Sequence, residues 1–84
     1  MDFHGTLSRG GNQLRVGGTM NTIAGSGWIG RFHFLPARAS WIKLGAANVL
    51  TDAGSSWEIE IERILPGASK AQRTCQFRVV EGLA

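Results

Sequence analysis

Three groups of residues in this 84-residue chain have types that could do chemistry. Glu58, Glu60 and Glu62 recur at every second position. On a strand rising ~3.3 Å per residue they would share one face, about 7 Å apart from one to the next. Carboxylates so spaced suit general acid–base work or the binding of a hard cation. Gly25-Ser26-Gly27-Trp28-Ile29-Gly30 matches G-x-G-x-x-G, the glycine pattern that cradles phosphates. His4, His33 and Cys75 are the only imidazoles and the only thiol.

Each group has a plainer reading that its surroundings favour. A phosphate-cradling glycine loop needs a strand before it and a helix opening after it. Here the loop runs into Trp28-Ile29-Gly30-Arg31-Phe32-His33-Phe34, which reads as strand. The glycines therefore predict a hairpin turn. Two scattered histidines and one cysteine lack metal-ligand spacing. Cys75 is expected inside the core, and His33 on an outward strand face beside Arg31. The glutamate row reads as a solvated outer face neutralised by Arg78 and Gln76 across the strand pair. No serine stands in a nucleophile elbow. The chain is not expected to be an enzyme, and no catalytic, cofactor-binding or metal-ligating residue is assigned.

The elements that must carry these residues are strands. Trp57, Ile59 and Ile61 alternate with the glutamates, and a period of two marks a half-buried strand. Phe3 and Leu7 share a face ahead of Gly10-Gly11, a pair suited to a two-residue hairpin turn. A turn centred there sets Leu7 opposite Leu14 and Gly5 opposite Val16, with Met20 on the same face. Gly17-Gly18 predicts a bulge or sharp bend in this second strand. Asn21 to Gly27 is expected as a loop with Ile23 tucked in. A third strand over 28–35 would turn Trp28, Phe32 and Phe34 inward and end at Pro36.

A fourth strand is expected from Trp41 to Thr51, with Ile42, Leu44, Ala46 and Leu50 alternating, and one helical turn over Pro36–Ser40 at most. Asp52-Ala53-Gly54-Ser55 predicts a type I turn setting Leu50 opposite Trp57. In the last hairpin Leu65 should face Arg73, Ile61 face Phe77, Ile59 face Val79 and Glu60 face Arg78. The sum is one all-β domain over 1–84. It is a small antiparallel β-barrel or strongly curved sheet of about six strands, of SH3-like or OB-like size, with little or no helix.

Composition narrows the partners. A hydrophobic fraction of 43% with 18% charged is that of a folded domain. A chain this short buries only about 60–65% of its unfolded surface, so association would add stability. The longest nearly apolar run, Leu44–Leu50, falls well below the ~20 residues a spanning helix needs. Met1-Asp2-Phe3-His4 lacks the basic-then-apolar pattern of a signal peptide. With a single cysteine, these features predict a cytoplasmic protein.

Strand parity leaves Ile29, Leu35, Trp41, Ile64 and Val80 pointing outward, a candidate protein interface with a partner or a second copy. Trp41 and Leu35 could instead plug a barrel end. Net charge is +3. Arg15, Arg31, Arg38 and Lys43, with Trp41 among them, are the candidate contacts of the alternative, a nucleic-acid-binding barrel. The glutamate row argues against that alternative. The expected function is thus a non-enzymatic interaction module.

Overall fold

A computed structural model describes residues 1–23, 27–45 and 47–82. Six strands form: β1 (Asp2–Arg9), β2 (Asn12–Ile23), β3 (Gly27–Phe34), β4 (Ala47–Asp52), β5 (Ser55–Pro66) and β6 (Arg73–Gly82). They close into an antiparallel barrel in the order β1-β2-β3-β6-β5-β4. No helix occurs among the described residues, so none is long and apolar enough to cross a membrane.

Alternation sets the inner face, as the pattern predicts. Phe3, Leu7, Val16, Met20, Phe32, Phe34, Leu50, Ile59, Ile61, Cys75 and Phe77 fill the barrel. Each fully buried Leu, Ile or Phe contributes ~1.5–3 kcal/mol. Phe77 stands at the centre, edge-on to Phe3 at 6.0 Å between ring centroids and tilted against Phe32 at 5.9 Å. Gly30 lies directly across from Phe77, and a Cβ there would enter the Phe77 ring. That position stays glycine so that the ring can lie against the backbone.

The β1–β2 register is the predicted one, Leu7 opposite Leu14 and Gly5 opposite Val16, around the Gly10-Gly11 turn. Leu50 faces Trp57, also as predicted, but the turn between them is not type I. Ala53 and Gly54 both have positive φ, 50° and 86°, the signature of a type I′ turn. That type matches the right-handed twist of the strands it joins.

Several other expectations are corrected. Gly17-Gly18 makes no bulge, and β2 keeps an unbroken register with both neighbours. Gly18 instead serves close approach, because a Cβ there would collide with the Arg31 carbonyl. β5 and β6 carry the irregularities. One lies between Ile61 and Arg63, so Leu65 faces Thr74 rather than Arg73, while Ile61–Phe77, Ile59–Val79 and Glu60–Arg78 hold. A second, between Glu58 and Ile59, leaves Val80 without an opposite residue and sets Glu58 against Glu81. Residues 21–23 and 27 are strand rather than loop, while the tuck of Ile23 and the residues Ala24, Gly25 and Ser26 lie outside the described residues.

The expected strand from Trp41 begins only at Ala47. Before it, turns link Arg38 N to Leu35 O (2.8 Å), Ala39 N to Pro36 O (3.3 Å) and Ile42 N to Ala39 O (3.2 Å). This spacing of three drops both Ala39 and Ile42 into the core. Gly45, at φ 73°, then turns the chain and donates its N–H to Ile61 O at 2.8 Å. Leu44 is therefore exposed rather than inward, and Ala46 lies outside the described residues. The connection over 35–45 closes one end of the barrel.

Candidate functional site

The strand directions give the barrel two ends. At one lie the β1–β2 turn, the 35–45 connection and the β5–β6 loop. Segments 9–15, 34–45 and 63–75, which build this end and the adjoining wall, carry Arg9, Arg15, Arg38, Lys43, Arg63, Lys70 and Arg73. Of the nine lysines and arginines only Arg31 and Arg78 lie elsewhere, and none of the six acidic residues falls in these segments. The sequence conceals this segregation because the cations are spread along it. Closure of the barrel gathers them.

The basic end is held in shape by its own hydrogen bonds. Arg73 Nη1 donates to Lys70 O (2.8 Å) and Gln72 O (2.9 Å). Gly67 N donates to Gln72 O (3.0 Å), and Ala68 N to Gln72 Oε1 (3.2 Å). Arg9 Nη1 reaches Trp41 O at 3.1 Å, tying the β1–β2 turn to the connection. Beside the β5–β6 loop opens a groove of about 710 Å³, lined by Ile64, Leu65 and Pro66 together with Ser69, Lys70 and Arg73. It offers apolar contact and positive charge side by side.

The residues singled out from the sequence divide between places. Leu35 is 40% exposed at the basic end, and Trp41 is half-buried there against the core. Leu35 does not plug the barrel; Ala39 and Ile42 do, with Trp41 packed against the core beside them. Ile64 is corrected from outward to core-packing, because the irregularity before Arg63 reverses its parity. It still lines the groove. Ile29 is half-buried on β3 near the opposite end, and Val80, 45% exposed, lies toward that same end on β6. The five do not form one patch.

Of the basic candidates, Arg15, Arg38 and Lys43 belong to the basic end. Arg31 sits opposite Thr19 on β2, four residues or about 13 Å of strand from Arg15, and bonds Gln76 Oε1 at 3.2 Å. Arg15 and Arg31 are thus on neighbouring strands but not adjacent.

The opposite end is acidic. Asp2, Asp52 and Glu81 lie at its strand ends; Glu58 faces Glu81 across β5 and β6 and also lines a gap with Arg9 and Gly10 of the β1–β2 turn. Like charges directly opposed on a sheet are destabilising. Beyond the Ile29–Arg78 pair, β2 and β3 run on as a two-stranded ribbon. Trp28, predicted inward, is 39% exposed on this ribbon because the barrel wall has ended. Met1, 62% exposed, extends β1 beside it through backbone bonds to Met20.

Comparison of the chain with protein-family models, curated proteins and solved structures gives no match. The reading of function therefore rests on the geometry. The glutamate row is an outer wall: Arg78 Nη2 lies 3.2 Å from Glu60 Oε2, and its Nε 3.8 Å from Glu62 Oε2. His33 Nδ1 pairs with Thr74 Oγ1 at 3.0 Å on the exposed face of β3 and β6. Cys75 is fully buried, and burial pushes its thiol up to about 12. Among the described residues no three His, Cys, Asp or Glu side chains gather in a way that could hold a metal ion. The segment Gly27–Gly30 of the glycine motif is β-strand, with no helix opening after it.

Proposed function

We propose that this chain is a non-enzymatic β-barrel interaction module that binds an acidic protein segment through its basic end. One observation carries the reading: Lys70 and Arg73 line a partly apolar groove at that end with no carboxylate in its lining, and the neighbouring connection adds Arg38 and Lys43. Such a surface attracts an anionic partner, and its apolar wall gives affinity that charge alone does not. The buried free thiol agrees with a reducing, cytoplasmic setting for the encounter.

Nucleic acid is the competing polyanion. The glutamate row no longer opposes it, since those side chains belong to a different part of the wall and two of them share Arg78. What weighs against single strands is the lack of a stacking platform at the basic end. Phe34 is buried and Trp41 half-buried, while the well-exposed Trp28 lies at the other end. Base stacking on aromatic faces supplies about 1–3 kcal/mol per base in such complexes.

The test is fluorescence anisotropy at low salt with labelled oligo-glutamate interspersed with leucine, against a labelled oligothymidylate. Binding of the peptide is expected, weakened several-fold by Lys70→Gln or Arg63→Gln and by added salt. Tighter, salt-steep binding of the oligonucleotide, lost in Arg15→Gln and Arg38→Gln, would favour the nucleic-acid reading. Binding of neither would dismiss both.

A further inference from the structure

The two ends of the barrel are complementary to each other. The segments 9–15, 34–45 and 63–75 contain no acidic residue, while the opposite end presents Asp2, Asp52 and Glu81; Glu58, set against Glu81 in register, also lines a gap beside Arg9 and Gly10. The Met1 amino group at the acidic end donates to Met20 O at 3.0 Å. Apolar exposure follows the same division. Among the described residues the exposed large hydrophobics are Met1, Trp28 and Val80 toward the acidic end and Leu35 and Leu44 at the basic end. The wall between the ends has none.

We propose that copies of this chain associate head to tail, the acidic end of one seated on the basic end of the next. This rests on the reading of the basic end as an interaction surface and names its occupant. Two considerations select a second copy. The charges are of opposite sign at the two ends of one molecule, so every copy brings both halves of the contact. The exposed apolar side chains at each end supply the centre of the contact, with charged groups around them. Such an interface joins two different surfaces, so it leaves one free end of each kind and extends into a chain or closes into a ring. A two-fold dimer through either end would instead set like charges together.

Sedimentation velocity and light scattering of the whole chain test this. At low salt the mass should exceed the 9.0 kDa of one copy, rise with concentration, and fall back as salt is added. A variant with a neutralised basic end (Arg38→Gln, Lys43→Gln, Lys70→Gln) and one with a neutralised acidic end (Asp2→Asn, Asp52→Asn, Glu81→Gln) should each remain single copies. Circular dichroism checks that both are folded. Mixed one to one, they should form a species of two chains and no larger, because one intact acidic end meets one intact basic end. A wild-type chain that stays at 9.0 kDa at every concentration overturns the proposal, as does a mixture that stays monomeric while the wild type associates. Oligo-glutamate titrated onto the acidic-neutralised variant separates the two claims. Binding there beside a monomeric wild type overturns self-association and keeps the basic end as an interaction surface. No binding beside a monomeric wild type overturns both.

Discussion

Cys75 is wholly enclosed by the barrel, and removing its thiolate from water raises its pKa from 9.0 to about 12. In the unfolded chain the thiol would lose its proton near 9.0, whereas the folded one keeps it. Between those values the unfolded state binds fewer protons, so stability falls as pH rises through that window and is intact below it. The urea midpoint should therefore drop between about pH 8 and about pH 10, and drop less in Cys75→Ala, which has no thiol to titrate. An equal drop in both proteins would assign the loss to other groups. The thiol should also resist alkylation until the barrel unfolds. Its inward place was readable from the alternation Cys75, Phe77, Val79. That of Ile64 was readable only with more care. Strict parity would put Arg63 inside and Ile64 outside, and that exchange of chemistry is itself the sign of an extra residue in the strand.

At the scale of elements, turns explain what could be read and what could not. Gly10-Gly11 announced its hairpin because two glycines in succession accept positive φ without cost. Asp52–Ser55 fixed the pairing of β4 and β5 but suggested the wrong turn type, since Ala53 is a poor residue for φ 50°. A left-handed conformation costs an ordinary residue roughly 1–2 kcal/mol, and asparagine tolerates it better. Ala53→Asn should therefore raise stability by about 0.5–1 kcal/mol, moving the urea midpoint upward with an unchanged slope. No shift, or a lower midpoint, would mean that the turn carries no such cost. The connection 35–46 was the least legible element. Ile42, Leu44 and Ala46 alternate as a strand would, while Ala39 and Ile42 stand three apart as a chain of turns would. Only the open end of the barrel, waiting to be covered, decides for the turns. The basic end shares this opacity, because it is assembled from segments that no local pattern brings together.

The whole molecule is two three-stranded meanders, β1-β2-β3 and β4-β5-β6, closed by two seams of unequal strength. β3 and β6 pair from Ile29–Arg78 through Phe34–Arg73. β1 and β4 pair only at Thr6–Thr51, Leu7–Leu50 and Ser8–Val49. Past Ser8 the strands part around a gap of about 320 Å³ whose lining includes Arg9, Asn48 and Glu58. Opening the shorter seam breaks fewer ladder bonds and leaves both meanders intact, so it should be the lowest-energy excursion of the barrel. Native-state hydrogen exchange should then find the amides along Thr6–Ser8 and Val49–Thr51 that bond across this seam exchanging faster than those joining β3 to β6. Thr6 and Thr51 face each other directly, so a disulfide in Thr6→Cys/Thr51→Cys should slow those seam amides selectively when oxidised and release them when reduced. Uniform exchange across both seams, unaffected by the disulfide, would mean that the barrel opens only as a whole. Selective exchange would place its flexibility beside Arg9, the residue that ties the β1–β2 turn to Trp41 and so to the basic end.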